Sequence, residues 1–460
     1  MKSQILQAID EQRKLVFQDV SELQIEGPCL SAHGIYVWTP ETLQFHQSLF
    51  KEFNGKLTFF IPSSGSGSRM FAFLQQYLRN PSNESLPEIE RFFKHLPEFA
   101  FYDAISEDWK HQLETSRVDP LAFLTYLMEP EGLNFSNLPK AIFPFHRTSQ
   151  GIQTPIEGHL RQGDGFEKEN IEYHFTIQHG FESLIRETLG SHDSHIQFSY
   201  QSLASDAFVF NDSQEAMVDA SGALIRRPAG HGALLENLNH LDSDMILVKN
   251  IDNIQCHAEQ DLSLDIWSGL CGLMLEIQSQ FKAVLSTKDL GLLEVLNQKY
   301  NVFSQSQLEE NTSWEALQLL LNRPLRICGM VLNEGQPGGG PFWVNHNGVS
   351  TKQIIEKSQL TSSAHFSCLL NSTHFNPVMM VVCTKDLSGE TIDLENFVRK
   401  DLGIIVQKNH FGEHIKYVEK PGLWNGGMYD WNSVFVEIPS AVFSPVKNVM
   451  DLLNPVHAGN

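Results

Sequence analysis

Residues 59–70 read Phe-Phe-Ile-Pro-Ser-Ser-Gly-Ser-Gly-Ser-Arg-Met, an apolar run that ends in a Gly/Ser loop and passes through Arg69 into the apolar segment Met70–Leu74. That order predicts a strand, a tight loop and a helix start, the local plan of an α/β protein. Gly65 and Gly67 carry no Cβ to block close approach, so the loop can turn bare backbone N–H groups toward a phosphate. Ser64, Ser66 and Ser68 add hydroxyls, and the Arg69 guanidinium is a planar fork suited to phosphate oxygens. The segment is not G-x-x-x-x-G-K-[ST], and it lacks the third glycine of the dinucleotide fingerprint. A flexible Ser/Gly surface turn is the plain structural reading of the same residues, so the rest of the chain has to decide.

Downstream, strand-like and helix-like stretches alternate. Strand character is read at Leu57–Pro62, Ile171–Gln178, Ile196–Tyr200, Met245–Lys249, Leu325–Leu332, Val378–Cys383, Ile404–Val406 and Ser433–Ile438. Residues 71–129 read as helix-rich with breaks at Pro81, Pro97 and Pro120, and Leu262–Lys299 reads as one long helical stretch. This alternation predicts an α/β fold with a mostly parallel sheet, in which ligands bind at the C-terminal ends of strands. The expected organisation is a helical and irregular segment (1–50) and a nucleotide-binding core (51–255) with a helical insertion (71–137). A second helical insertion (256–324) and a closing C-terminal part of the core (325–460) follow.

The 460 residues are 41% apolar, enough for a large core, and the net charge is −22. That charge argues against nucleic acid or an anionic membrane as the main partner, while leaving room for a local basic pocket. Residues Met1–Asp10 read as an amphipathic helix start without a signal-peptide core, and no stretch is long and apolar enough to span a bilayer. Six cysteines (Cys29, Cys256, Cys271, Cys328, Cys368, Cys383) are scattered without a C-x-x-C pair. They are expected to be reduced thiols in a cytoplasmic protein, without a structural zinc. Nothing in the sequence sets an oligomeric state.

Four further segments carry chemistry. Lys140, in Leu138-Pro139-Lys140, lies between a proline and an apolar run, where an ammonium can meet phosphate as a point charge; the alternative is a lysine opening a strand. Gly230-His231-Gly232 could admit a planar base against backbone, or simply turn before a helix. Asp252, in Lys249-Asn250-Ile251-Asp252-Asn253, is placed at a strand end where a carboxylate suits Mg²⁺, or caps a turn. The C-terminal region adds three loops: Glu334–Trp343, Glu419–Met428 and Phe443–Leu452.

Taken in order, the Gly-rich loop with Arg69, Pro-Lys140, G-H-G, N-x-D-N and Pro-Val-Lys447 with its following Asp-Leu-Leu resemble the nucleotide-sugar pyrophosphorylases, the UDP-sugar branch most. The whole chain also resembles a bacterial domain family of unknown function with a nucleotidyltransferase-like core. The resemblance implies a Rossmann-like nucleotide-diphospho-sugar transferase core of the glycosyltransferase-A type, with a mostly parallel sheet and helical insertions. It implies that Ser64, Gly65, Ser66, Gly67, Ser68 and Arg69 cradle nucleotide phosphates and that Lys140 contacts phosphate. Gly230, His231 and Gly232 would lie near the base, Asn253 would bind substrate or nucleotide, and Asp252 would hold Mg²⁺. Glu419, Asn425 and Gly426 would fall near the sugar, and Lys447 would stabilise the reacting phosphates. The implied substrates are a nucleoside triphosphate and a sugar phosphate. Two departures stand out: the loop lacks the usual Gly-Thr-Arg ending, and residues 71–137 separate Lys140 from it. A nucleotide-binding sensor of the same fold, or a glycosyltransferase consuming a nucleotide-sugar, are the alternatives.

Overall fold

The computed structural model describes residues 2–17, 23–65, 67–190, 195–201, 206–227, 230–256, 260–335, 338–360, 365–410, 413–423 and 426–458. The chain divides into two compact units. One comprises residues 1–58, 201–248 and 268–440, and the other residues 59–200, 249–267 and 441–460.

The second unit contains the Gly/Ser loop. Strand Leu57–Pro62 is buried at every position but the last and runs into the loop. A 3-10 turn at Gly67–Phe71 and helix Ala72–Arg79 follow, the order the apolar pattern predicts. Strand Ile171–Ile177 pairs in parallel with Ile196–Tyr200, and Ser63 N–H donates to the Thr176 carbonyl at 2.8 Å. The prolines of the insertion act where they should. Pro120 sits at the first turn of helix Pro120–Met128 and Leu86–His95 ends just before Pro97, since proline lacks the N–H that a helix interior needs.

Aromatic side chains dominate the core of that insertion. Phe71, Phe92, Phe99, Phe101, Phe123 and Phe143 are fully buried or nearly so, and the Phe99 and Phe101 rings stack at 5.0 Å. Each such side chain contributes on the order of 2–3 kcal/mol by leaving water. The same cluster includes Met70, Ile254, Val446 and Val449. These flank Arg69, Asp252 and Lys447, so the candidate site residues are anchored by their neighbours in one apolar body.

In the first unit, strands Leu30–Ser31, Gly34–Tyr36, Asn432–Glu437 and Leu325–Leu332 are neighbours in parallel pairs. Met380–Cys383 runs antiparallel to both Leu325–Leu332 and Met245–Val248. His374–Phe375 also runs antiparallel to Leu325–Leu332, so two reversed strands join the parallel run. A three-stranded antiparallel sheet of Gln24–Pro28, Gly340–His346 and Val349–Ile355 forms where only a Gly-rich loop was expected. Phe342, Val344 and Ile355 supply its buried face, and the glycines before them hid that alternation. The long helical stretch also differs from expectation. It is two helices, Gln260–Thr287 and Leu290–Tyr300, divided at Lys288 with φ 55°. Asp289 caps the second by accepting from Gly291 N–H at 2.8 Å.

Among the described residues no helix is long and apolar enough to cross a membrane. None of the six cysteines forms a disulfide among the described residues, and all but Cys368 are buried.

Candidate functional site

Asp252 is the centre of the site. Its side chain is 8% exposed, and Oδ2 accepts from Lys140 Nζ at 3.1 Å and from Lys447 Nζ at 2.7 Å. The other oxygen, Oδ1, is buried and has no hydrogen-bond partner among the described residues. Lys140 is 12% exposed and also donates to the Val446 carbonyl at 2.8 Å, whereas the Lys447 side chain is 55% exposed. One ammonium is thus fixed in the wall and the other reaches in from solvent.

Backbone bonds hold these groups in register. Val446 N–H donates to the Asp252 carbonyl at 3.0 Å, and Cys256 N–H to the Val456 carbonyl at 2.9 Å. Asn253 Oδ1 accepts from Ser444 N–H at 2.9 Å. The segment following Ala441 therefore runs along 252–256. Asp451 explains its own place in the Pro-Val-Lys motif. Oδ2 accepts from the N–H groups of Lys447 and Asn448 at 2.8 and 2.7 Å, a turn that aims Lys447. That role was not assigned from sequence, although the Asn-x-x-Asp capping spacing was present to be read.

The 71–137 insertion does not keep Lys140 from the loop. Gly67 N–H donates to the Leu138 carbonyl at 2.8 Å and Lys140 N–H to the Gly65 carbonyl at 3.4 Å. The chain leaves at the loop, builds its Phe-rich body and returns beside its point of departure. Gln178, at the end of strand Ile171–Ile177, donates from Nε2 to the Ser64 carbonyl at 2.6 Å. This residue was missed, though a polar side chain ending an apolar strand was its signal.

Electrostatics agree with the geometry. Burial would raise the Asp252 carboxyl, but the charges of Lys140 and Lys447 and their hydrogen bonds outweigh it and hold the carboxyl below its ordinary value. Burial lowers the Lys140 ammonium, opposed by Asp252 and reinforced by Lys447 and Arg69. Arg69 is exposed on the 3-10 turn that leaves the loop. Two ammonium groups and a guanidinium against one carboxylate leave net positive charge around a partly sheltered place, which favours an oxyanion.

Glycine packing separates the loops. A Cβ on Gly232 would come 2.8 Å from the Lys420 carbonyl, on Gly426 2.7 Å from Pro421, and on Gly427 2.5 Å from the Gly422 carbonyl. Gly338, Gly339 and Gly340 are likewise crowded by Phe375, Ile354 and Phe342. The first unit's own packing accounts for these. Gly67 is tight against the Leu138 carbonyl at 3.0 Å, but a Cβ on Gly65 would meet nothing within 4 Å. A side chain at Gly65 would meet none of the described residues.

The other sequence candidates fall in the first unit. Gly230–Ala233 is a 3-10 turn before helix Leu234–Asn239, with the side chain of His231 outside the described set. Glu419 ends strand Glu413–Glu419, is half-buried, and burial raises its carboxyl. Gly426 is buried. Ser66 and Asn425 lie outside the described residues. Ser64, Gly65, Gly67, Ser68, Arg69, Lys140, Asp252, Asn253 and Lys447 all belong to the second unit.

Among the described residues no group of three or more His, Cys, Asp or Glu side chains is placed to hold a metal ion. What Asp252 offers a cation is the single orphaned oxygen, Oδ1. That suits Mg²⁺ only in its usual manner, with one carboxylate and the remaining ligands from water and phosphate.

A family model described as a domain of unknown function (DUF4301) matches residues 1–458. The chain belongs to that family. Its structure is similar to the uridine diphosphate N-acetylglucosamine pyrophosphorylase from Trypanosoma brucei, solved in complex with inhibitor. The two are 10% identical, the match covers 97% of this chain and 74% of the other, and the TM-score is 0.50. It is also similar to the UDP-glucose phosphorylase from Trypanosoma brucei, at 13% identity over 98% and 73% of the two chains, with a TM-score of 0.46. A search of curated proteins finds no match. The first likeness establishes a shared fold.

Proposed function

We propose that this DUF4301 protein is a nucleotidyltransferase with a glycosyltransferase-A type core, joining an NTP to a sugar 1-phosphate with release of pyrophosphate. The observation that carries this reading is the convergence of Lys140 and Lys447 on one oxygen of buried Asp252, beside the 63–67 loop. A structural ion pair needs one lysine. Two, of which one is exposed, make an anion site that holds its own counter-ion until substrate arrives.

In the reaction a phosphate oxygen of the sugar phosphate attacks the α-phosphorus of the NTP. The bond from the α-phosphorus to its bridging oxygen breaks, and pyrophosphate leaves with that electron pair. No protein nucleophile is required; positioning and charge neutralisation carry the rate. Lys140, fixed by the Val446 carbonyl, would hold a phosphate oxygen in place. Lys447, the exposed partner, would leave Asp252 to follow the charge that builds on the departing pyrophosphate. Arg69 and the N–H groups around Gly65 would hold the rest of the triphosphate. Mg²⁺, with Asp252 Oδ1 as its protein ligand, would offset phosphate charge when bound. The base and sugar roles of Gly230, His231, Gly232, Glu419 and Gly426 rest on the resemblance alone.

The test is a panel of NTPs with sugar 1-phosphates and Mg²⁺, read as pyrophosphate release and, in reverse, as NTP formation from nucleotide-sugar and pyrophosphate. Turnover with one pair, lost in Lys447→Ala, supports the enzyme. Nucleotide binding without turnover for any pair overturns it in favour of a sensor.

A further inference from the structure

Three consecutive carbonyls fix the turn that carries Asp252. The Asn250 carbonyl accepts from Asn253 N–H at 3.2 Å, and the Asp252 carbonyl from Val446 N–H at 3.0 Å. Between them, the Ile251 carbonyl accepts from His159 Nε2 at 3.1 Å. A carbonyl can only accept, so the ring nitrogen is the donor. The first two donors are backbone amides, which any residue but proline supplies. The third is a side chain, fully buried on helix Pro155–Asp164. It is therefore the one of the three that sequence can add or remove.

The same helix also reaches the other side of Asp252. A Cβ on Gly158 would come 2.8 Å from Ile254 Cγ1, so the helix backbone lies directly against Ile254, itself buried. The helix start is fixed by a reciprocal cap. Thr154 Oγ1 accepts from Glu157 N–H at 3.4 Å, and Glu157 Oε2 accepts from Thr154 N–H at 2.8 Å. Residues 251 and 254 are thus both held to one anchored helix, with Asp252 between them. On the other side of the carboxylate, Lys140 and Lys447 meet its Oδ2 at 3.1 and 2.7 Å. A displacement of about 1 Å is enough to break a hydrogen bond of that length, and on the scale of a reacting site it is large.

We infer that His159 is a positioning residue of the anion site: its bond to the Ile251 carbonyl sets the place of the Asp252 carboxylate against the two lysines. His159 acts through Asp252 and touches no substrate. Its kinetic consequence rests on the preceding reading of the site, while its effect on Asp252 rests on the contacts alone.

The experiment therefore has two readouts. The first is crystallographic and compares wild type with His159→Leu, which has no donor, and His159→Gln, whose amide N–H can replace it. In His159→Leu at least one of the two lysine contacts with Asp252 is expected to open beyond about 3.5 Å, and in His159→Gln both are expected to persist. Both contacts intact in His159→Leu overturn the positioning role, whatever the enzyme does. If His159→Leu does not fold, His159→Met, unbranched and adaptable but equally without a donor, takes its place under the same criterion.

The second readout is pyrophosphate release from an NTP and a sugar 1-phosphate. His159→Leu is expected to lower kcat at least about tenfold with KM changed less than about threefold, and His159→Gln to recover most of that loss. In an Asp252→Asn background the same substitution should cost less than about twofold, because its route to the reaction is already cut. A merely structural histidine would cost the same in either background, so a full tenfold loss there overturns action through Asp252. No turnover by wild type overturns the nucleotidyltransferase reading, and the two lysine distances then decide the positioning role by themselves.

Discussion

Two ion-paired carboxylates, buried Asp252 in one unit and partly buried Glu276 in the other, show how differently the same chemistry is used. Glu276 Oε2 accepts from His46 Nε2 and Tyr300 Oη, each at 2.6 Å, and Oε1 accepts from Lys299 at 3.2 Å. Both oxygens are satisfied, and the contacts tie helix Pro40–Lys51 to helices Gln260–Thr287 and Leu290–Tyr300. Asp252 puts two ammonium groups on one oxygen and leaves the other bare. A carboxylate that serves the fold spreads its donors. Under the proposed function the second Asp252 oxygen is the capacity left for a ligand; other buried acceptors, such as Asn432 Oδ1, also lack a partner among the described residues.

The sharpest test of that contrast is the pair of isosteric amides. Asp252→Asn is expected to cut pyrophosphate release at least about a hundredfold, the scale of losing one electrostatic group from a phosphoryl-transfer site. Its stability should fall too, by about 3 kcal/mol, since Lys140 would keep a buried ammonium without its counter-charge. Glu276→Gln should also lower denaturant stability, by about 2–3 kcal/mol as charge-assisted bonds weaken, but with turnover of the folded protein unchanged. If the two variants behave alike, the contrast between them is broken.

Acid extends the comparison. Burial would raise the Glu276 carboxyl, but hydrogen bonds from His46 and Tyr300 and the charge of Lys299 bring it from its ordinary 4.5 to about 2. A depressed carboxyl contributes stability that is complete above its unfolded value and is lost as pH falls through the folded one. Wild type should therefore lose stability between about pH 4.5 and 2, and Glu276→Gln should flatten that window. Chemical denaturation at a series of pH values reads this directly.

Arg69→Ala is expected to weaken triphosphate binding about tenfold, and nucleoside binding hardly at all, because a charge-assisted hydrogen bond acts on phosphate. Unchanged triphosphate affinity by calorimetry would remove Arg69 from the site. The smallest effects belong to the loop glycines. Gly67→Ala should cost about 1 kcal/mol of stability, since its Cβ would press a carbonyl 3.0 Å away. Gly65→Ala, with open space before it, should leave stability unchanged within about 0.5 kcal/mol and weaken only triphosphate binding. Loss of stability at Gly65 would show that the protein, and not a ligand, needs that glycine.

Much of this was legible in the sequence because it is local. An apolar run into Pro-Ser-Ser-Gly-Ser-Gly-Ser-Arg fixes a strand, a loop and a helix start from backbone preference and burial alone. Met245–Val248 ends at the Asn-Ile-Asp-Asn segment for the same reason. Lys140, Asp252 and Lys447 could be named as phosphate and carboxylate chemistry by type and setting. Local pattern also misled: the glycines of 338–340 looked ligand-friendly, yet they open a strand and are crowded by Phe375, Ile354 and Phe342. Composition could not say that residues 71–137 fold into a Phe-rich body returning Lys140 to the loop. Nor could it say that the segment after Ala441 lies along 252–256. Those contacts join residues 112 and 195 positions apart, and no window on the sequence spans them. The sequence by itself determined which residue types stand at the strand ends. Only tertiary packing decided that two lysines share one oxygen of Asp252 and that the other oxygen has no partner among the described residues, because burial and pairing are set by whatever else the chain brings to the same place.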